Sequence, residues 1–99
     1  MKTMYSILGR EYQFFIEGNG ALKLTTSDIS DAKISGSTLQ LPVGYQILDF
    51  KASIHSTVKA AKDVNLVLHF YADGSQGVTL PAAGDFDHMY LYVYAEKIA

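Results

Sequence analysis

Residues 88–96 (HMYLYVYAE) place a tyrosine on every second position, with Tyr90, Tyr92 and Tyr94 alternating with Met89, Leu91, Val93 and Ala95. On a β-strand successive side chains point to opposite faces and repeat every ~6.6–6.8 Å. The three phenols therefore line one face as a column while the other face is aliphatic. A strand of this kind belongs in a layered β structure, because both of its faces need cover of some sort.

The same period of two dominates the rest of the chain, and no window sustains the i, i+3, i+4, i+7 spacing over a helix length. Strands are expected at residues 3–8, 12–17, 21–26, 33–35, 38–41, 45–56, 64–71, 77–80 and 88–96. The breaks between them are Gly9-Arg10, a tight turn at Glu17-Gly18-Asn19-Gly20, a polar link at residues 27–32 with room for one helical turn, Ser35-Gly36-Ser37, Pro42, residues 58–63 and Asp73-Gly74-Ser75. Residues 78–83 and the turn at Asp85 to Asp87 are expected to be exposed. In the strand at 45–56, Leu48, Phe50, Ala52 and Ile54 share one face and Asp49, Lys51, Ser53 and His55 the other. In the strand at 64–71, Val64, Leu66, Leu68 and Phe70 oppose Asn65, Val67, His69 and Tyr71. About eight short strands at such spacings read as an all-β fold, a small antiparallel β-sandwich with jelly-roll-like or immunoglobulin-like layers, with an open barrel as the alternative.

The 99 residues form one domain, 1–99, near the size at which a single core holds without staples. The chain has no cysteine, which removes disulfides, thiolate metal sites and cysteine nucleophiles together. No stretch approaches the ~20 apolar residues of a membrane span, and the apolar run after Lys2 is too short for a signal sequence. The expected location is cytoplasmic on synthesis, or a virion. Only 18% of residues are charged, against ~25% for a typical soluble chain, a balance that leans toward self-association. Net charge is −2 and the eight basic residues are scattered, whereas duplex binding concentrates Lys and Arg on one face. Nucleic acid and membrane are not expected partners.

Asp85, Asp87 and His88 (DFDH) are the densest set of metal-capable side chains, but on an extended chain the two aspartates point one way and His88 the other. The simpler reading is a turn whose acids supply polar contacts. His55, His69 and His88 sit on separate segments; if the strands at 45–56 and 64–71 pair as a hairpin, His55 and His69 are roughly 13 Å apart along it and make poor co-ligands. Isolated surface histidines are the expectation. No Gly-x-Ser-x-Gly elbow and no phosphate-cradling glycine loop is present. The chain thus reads as non-enzymatic, with no cofactor and no metal.

The tyrosine column admits three roles: core between two sheets, a subunit interface, or a stacking platform for a sugar or base. Tyr5, Tyr12, Phe14 and Phe15 are candidates to extend it. The functional expectation is a structural or assembly module that self-associates, as a dimer or trimer or on a larger protein scaffold, through Tyr90, Tyr92 and Tyr94; its concrete form is a virion component such as a capsid-decoration or fibre-type protein. The alternative is a lectin-like module that stacks glycans on the same column, with Asn19, Asp85 or Asp87 supplying hydrogen bonds.

Overall fold

In a computed structural model that describes residues 9–57 and 65–98, the chain forms two four-stranded antiparallel sheets packed face to face, a β-sandwich not closed into a barrel. The strands are β1 (Gly9–Glu17), β2 (Lys23–Ser27), β3 (Lys33–Ser35), β4 (Thr38–Gln40), β5 (Tyr45–His55), β6 (Val67–Phe70), β7 (Gln76–Thr79) and β8 (His88–Lys97). One sheet has the order β2-β1-β8-β5 and the other β3-β4-β7-β6. The expected strand at residues 3–8 and the turn at 58–63 lie outside the described residues.

Each sheet contributes its inward phase to one core. In the first sheet Tyr12, Phe14 and Ile16 of β1 and Met89, Leu91, Val93 and Ala95 of β8 are buried, and Phe50, Ala52 and Ile54 of β5 pack against them. Cross-strand register builds this surface in rows: Phe14 opposes Leu91, which opposes Ala52. The second sheet answers with the row Ile34, Leu39, Val78 and Leu68 across all four of its strands. Ile29, Ala32, Leu80 and Phe86 come from the links between sheets and complete the same cluster. Burying each large aliphatic or aromatic side chain contributes about 1.5–3 kcal/mol.

Several expectations require correction. Gly9 and Arg10 do not break the chain but open β1, because β8 is long enough to pair with them at Glu96 and Ala95. The strands at 45–56 and 64–71 are not a hairpin: β5 pairs with β8, and β6 pairs with β7 in the opposite sheet. Leu48 does not belong to the core phase of β5. A bulge between Ile47 and Asp49 inserts it as an extra residue, so Ile47 is buried opposite Ala95 and the inward phase resumes at Phe50; Asp49 Oδ1 accepts the Phe50 N–H at 2.8 Å within this irregularity. Phe70 is 65% exposed rather than inward. Val78, Leu80 and Phe86 are buried although their segments read as surface loop and turn. The link after β2 makes a single turn, in which Ala32 N–H donates to the Ile29 carbonyl and Ile29 drops into the core.

Two turns hold this arrangement with specific chemistry. At the β1–β2 turn the backbone N–H groups of Gly18, Asn19 and Gly20 donate to the carbonyls of Asp87, Phe86 and Ala83, zipping the turn onto the chain entering β8. Asn19 (φ 57°) and Gly20 (φ 93°) occupy the left-handed region that such a turn needs. Gly18 is required for closeness: a Cβ there would overlap the Phe86 carbonyl oxygen and come within 2.8 Å of the Ala83 oxygen. At the β6–β7 turn, Asp73 Oδ1 accepts from the Ser75 hydroxyl (2.6 Å) and the Ser75 N–H (2.9 Å), while Gln40 Nε2 donates to the buried Ser75 Oγ. Next to it, Gln76 Oε1 accepts the Ile47 N–H at 2.7 Å and so ties the second sheet to β5 of the first.

Gly18→Ala should lower unfolding free energy by about 1–3 kcal/mol, the usual range for forcing a methyl into packed backbone, in a urea titration. Gly84→Ala, whose Cβ would meet nothing within 4 Å, should leave it within about 0.5 kcal/mol. The hydrogen bonds from Ser75 hold the Asp73 carboxyl below the ordinary aspartate value of 3.8. A carboxyl with a lowered folded-state value stabilises fully above its unfolded value, and that contribution is lost as pH falls through the folded one. The stability difference between wild type and Asp73→Asn should therefore be constant above about pH 5 and shrink toward pH 2, followed by thermal denaturation across that range.

Candidate functional site

The outward phase of the first sheet gathers the aromatic residues. Since β8 buries Met89, Leu91, Val93 and Ala95, its tyrosines project from the opposite side, away from the second sheet. This geometry removes the inter-sheet core role for the column. Tyr90 is 41% exposed, and Tyr92 and Tyr94 are half-buried among neighbours on β1 and β5.

Register assigns those neighbours row by row. Tyr94 lies between Glu11 and Asp49, Tyr92 between Gln13 and Lys51, Tyr90 between Phe15 and Ser53, and His88 between Glu17 and His55. Phe15 joins the column, its ring centroid 4.8 Å from Tyr90 and 5.7 Å from His88. The Lys51 ammonium stands 5.7 Å from the centre of the Tyr92 ring, a cation–π contact. Tyr94 spreads over the bare backbone of Gly9, where an added Cβ would lie 2.7 Å from its ring. A glycine in a strand often marks such a close approach.

Two shallow depressions flank β8 on this face. One, of about 220 Å³, is lined by Glu11, Asp49, Phe50, Lys51, Tyr92 and Tyr94. The other, of about 270 Å³, is lined by Gln13, Phe15, Thr26, Asp28 and Tyr90. Phenol faces bordered by carboxylates, an amide and an ammonium give a surface that can stack a flat apolar group and hydrogen-bond its rim.

Of the other expected residues, Tyr12 and Phe14 belong to the core rather than the column, and Tyr5 lies outside the described residues. Asp85 sits in a single 3₁₀ turn (Ala83–Asp85), where its carbonyl accepts the Ser56 hydroxyl. Asp87 and His88 lead into β8 at one end of the column. The three do not converge: among the described residues no group of three or more His, Asp or Glu side chains is placed to hold a metal ion. Asn19 is engaged through its backbone in the β1–β2 turn.

The histidines are not all isolated. His69 packs edge-on against Tyr71 in the second sheet, but His55 and His88 are directly opposed across β5 and β8, with their rings stacked at 4.9 Å and 14°. Asp87 Oδ2 lies 3.6 Å from His55 Nε2. Sequence reasoning missed this pair and the flanking Glu11, Gln13, Asp49 and Lys51 because each is a neighbour of β8 only through long-range pairing. The legible signal was their polar phase, which marks them as outward without naming the strand beside them. Among the described residues no helix is long and apolar enough to cross a membrane. Compared with models of known families, with curated proteins and with solved structures, the chain matches none of them.

Proposed function

We propose that the protein is a non-enzymatic assembly module whose contact surface is the outer face of the β2-β1-β8-β5 sheet. The observation that carries this reading is the contiguous column of Phe15, Tyr90, Tyr92 and Tyr94 on the outside of a sheet whose inner face is already filled. Tyrosine suits such a face because its ring removes apolar area from water while its hydroxyl bonds at a wet rim. The charges around it are mixed, Glu11 and Asp49 beside Lys51, so the face can meet a second copy without like-charge repulsion.

Size bears on the kind of assembly. Four strands spaced ~4.8 Å apart and about eight residues long at ~3.3 Å each make a flat face of roughly 500 Å². A standard interface takes ~800 Å² from each partner. One such contact is reversible, and a closed symmetric oligomer, a dimer or trimer, or a place on a larger scaffold gains from repeating it. A virion component of the capsid-decoration or fibre type is the concrete form of this reading, supported by small size, the lack of cysteine and the two-layer β architecture.

A second reading draws on the depression at Tyr92 and Tyr94. Glu11, Asp49 and Lys51 stand around it with hydrogen-bonding groups, an arrangement suited to a sugar ring stacked on a phenol. These replace Asn19, Asp85 and Asp87 as its polar partners.

Sedimentation velocity should show an oligomer whose fraction rises with concentration, and Tyr92→Lys should return it to monomer with unchanged β circular dichroism. A wild-type monomer throughout the high-micromolar range would remove the assembly reading. On a glycan array, binding that disappears with Tyr92→Ala would favour the second reading instead.

A further inference from the structure

We infer that His55 and His88 form a two-imidazole chelating site for a borderline divalent transition metal, with copper(II) the tightest ligand. The inference goes beyond the assembly reading and does not depend on it. The two residues are 33 positions apart in sequence, yet the β5–β8 register sets them directly opposite on the outer face. Opposed residues on antiparallel strands hold their Cβ atoms ~4.5–5.5 Å apart. Two imidazoles at that spacing can reach one ion, because metal–nitrogen bonds of ~2.0–2.1 Å need the two donor atoms only about 3 Å apart. The rings stand stacked with centroids 4.9 Å apart, so chelation asks for a turn of the side chains and no shift of the backbone pairing. The His55 side chain is 60% exposed, so an outward turn of the ring meets solvent.

The surroundings favour a cation over any other ligand. Asp87 is pinned to His55 by its own N–H, which donates to the His55 carbonyl at 2.8 Å. Its carboxylate lies 3.6 Å from His55 Nε2 and places a negative charge beside the two imidazoles. A carboxylate beside a ligating imidazole orients the ring and raises its basicity. On the other side of His88 the paired residue is Glu17, whose Oε1 accepts the Thr25 hydroxyl at 3.1 Å. Two carboxylates thus border two imidazoles. With two protein donors, the remaining coordination positions belong to water. Imidazole donors select copper, nickel and zinc over calcium and magnesium, and copper(II) heads the usual order of affinity.

The test is a titration of the whole chain with copper(II) chloride in a weakly coordinating buffer, read by calorimetry and by electron paramagnetic resonance. The expected result is one equivalent bound, with hyperfine coupling to two imidazole nitrogens. His55→Gln and His88→Gln should each abolish the two-nitrogen spectrum. Asp87→Asn should weaken binding roughly ten- to a hundred-fold, and His69→Gln, in the opposite sheet, should change nothing. Circular dichroism confirms that each variant is folded. The inference is overturned if the wild-type spectrum reports a single nitrogen or none, if either single variant at residues 55 or 88 keeps the wild-type affinity, or if His69→Gln costs as much as they do.

Discussion

Everything in the first sheet depends on the pairing of β8 with two partners at once. It lies between β1 and β5 and makes nine opposed pairs with the first and ten with the second. Because side chains alternate strictly, its register with either neighbour decides which set faces inward. A slip of one residue would exchange Met89, Leu91, Val93 and Ala95 for the tyrosines. The aliphatic phase meets the row Ile34, Leu39, Val78 and Leu68 of the second sheet, whereas three buried phenols would each need a hydrogen-bond partner there. The core thus excludes the tyrosines, and their position on the outside follows from that exclusion.

Register also needs anchors at the ends of the strands, where alternation alone is weak. At one end Gly18, Asn19 and Gly20 donate three backbone hydrogen bonds to residues 83–87, fixing where the chain enters β8. At the other, the Ile98 N–H donates to the Gly44 carbonyl, fixing where β5 begins. Between these points the bulge at Leu48 absorbs one residue, so Ile47 and Phe50 can both face inward along one strand. The cross-sheet bond from Ile47 to Gln76 lies beside that bulge and couples its position to the second sheet. Polar side chains act here as spacers that set register, while apolar ones supply the driving force.

The sequence was informative where a property is local. Alternation located all eight described strands to within about three residues and separated the two faces of β8 and most of β5. It did not say which face of β8 turns inward, and in β1 it left Tyr12 and Phe14 on the side of the column although both are core. The turns at Gly36 and Gly74 were legible because positive φ values of 62° and 92° select glycine. Non-local properties were not legible. Nothing in residues 45–71 reveals that β5 and β6 part company into different sheets, because a hairpin and a crossover carry the same alternation. The bulge at Leu48 hides for the same reason: Leu48, Phe50, Ala52 and Ile54 keep an unbroken apolar phase on paper. Phe86 illustrates a third limit. Flanked by Asp85 and Asp87, it has the context of a turn, and only the closing of the chain over the end of the sandwich makes it core.

The candidate site inherits this dependence on long-range pairing. Its rows draw on β1, β5 and β8, separated by about 30 or more residues along the chain, so no short segment contains Phe15 beside Tyr90, Lys51 over Tyr92, or His55 against His88. Such a surface forms only when the sheet does, since loop closure between distant strands must precede their contacts. The cost of the aromatic face is met by the core beneath it, where the same three strands bury Phe14, Leu91 and Val93. Binding on the outer face and stability of the inner one are therefore linked through a single backbone ladder. A partner that gripped the tyrosines would stabilise the folded sandwich by mass action, and a core substitution that loosened β8 would weaken that partner without touching it.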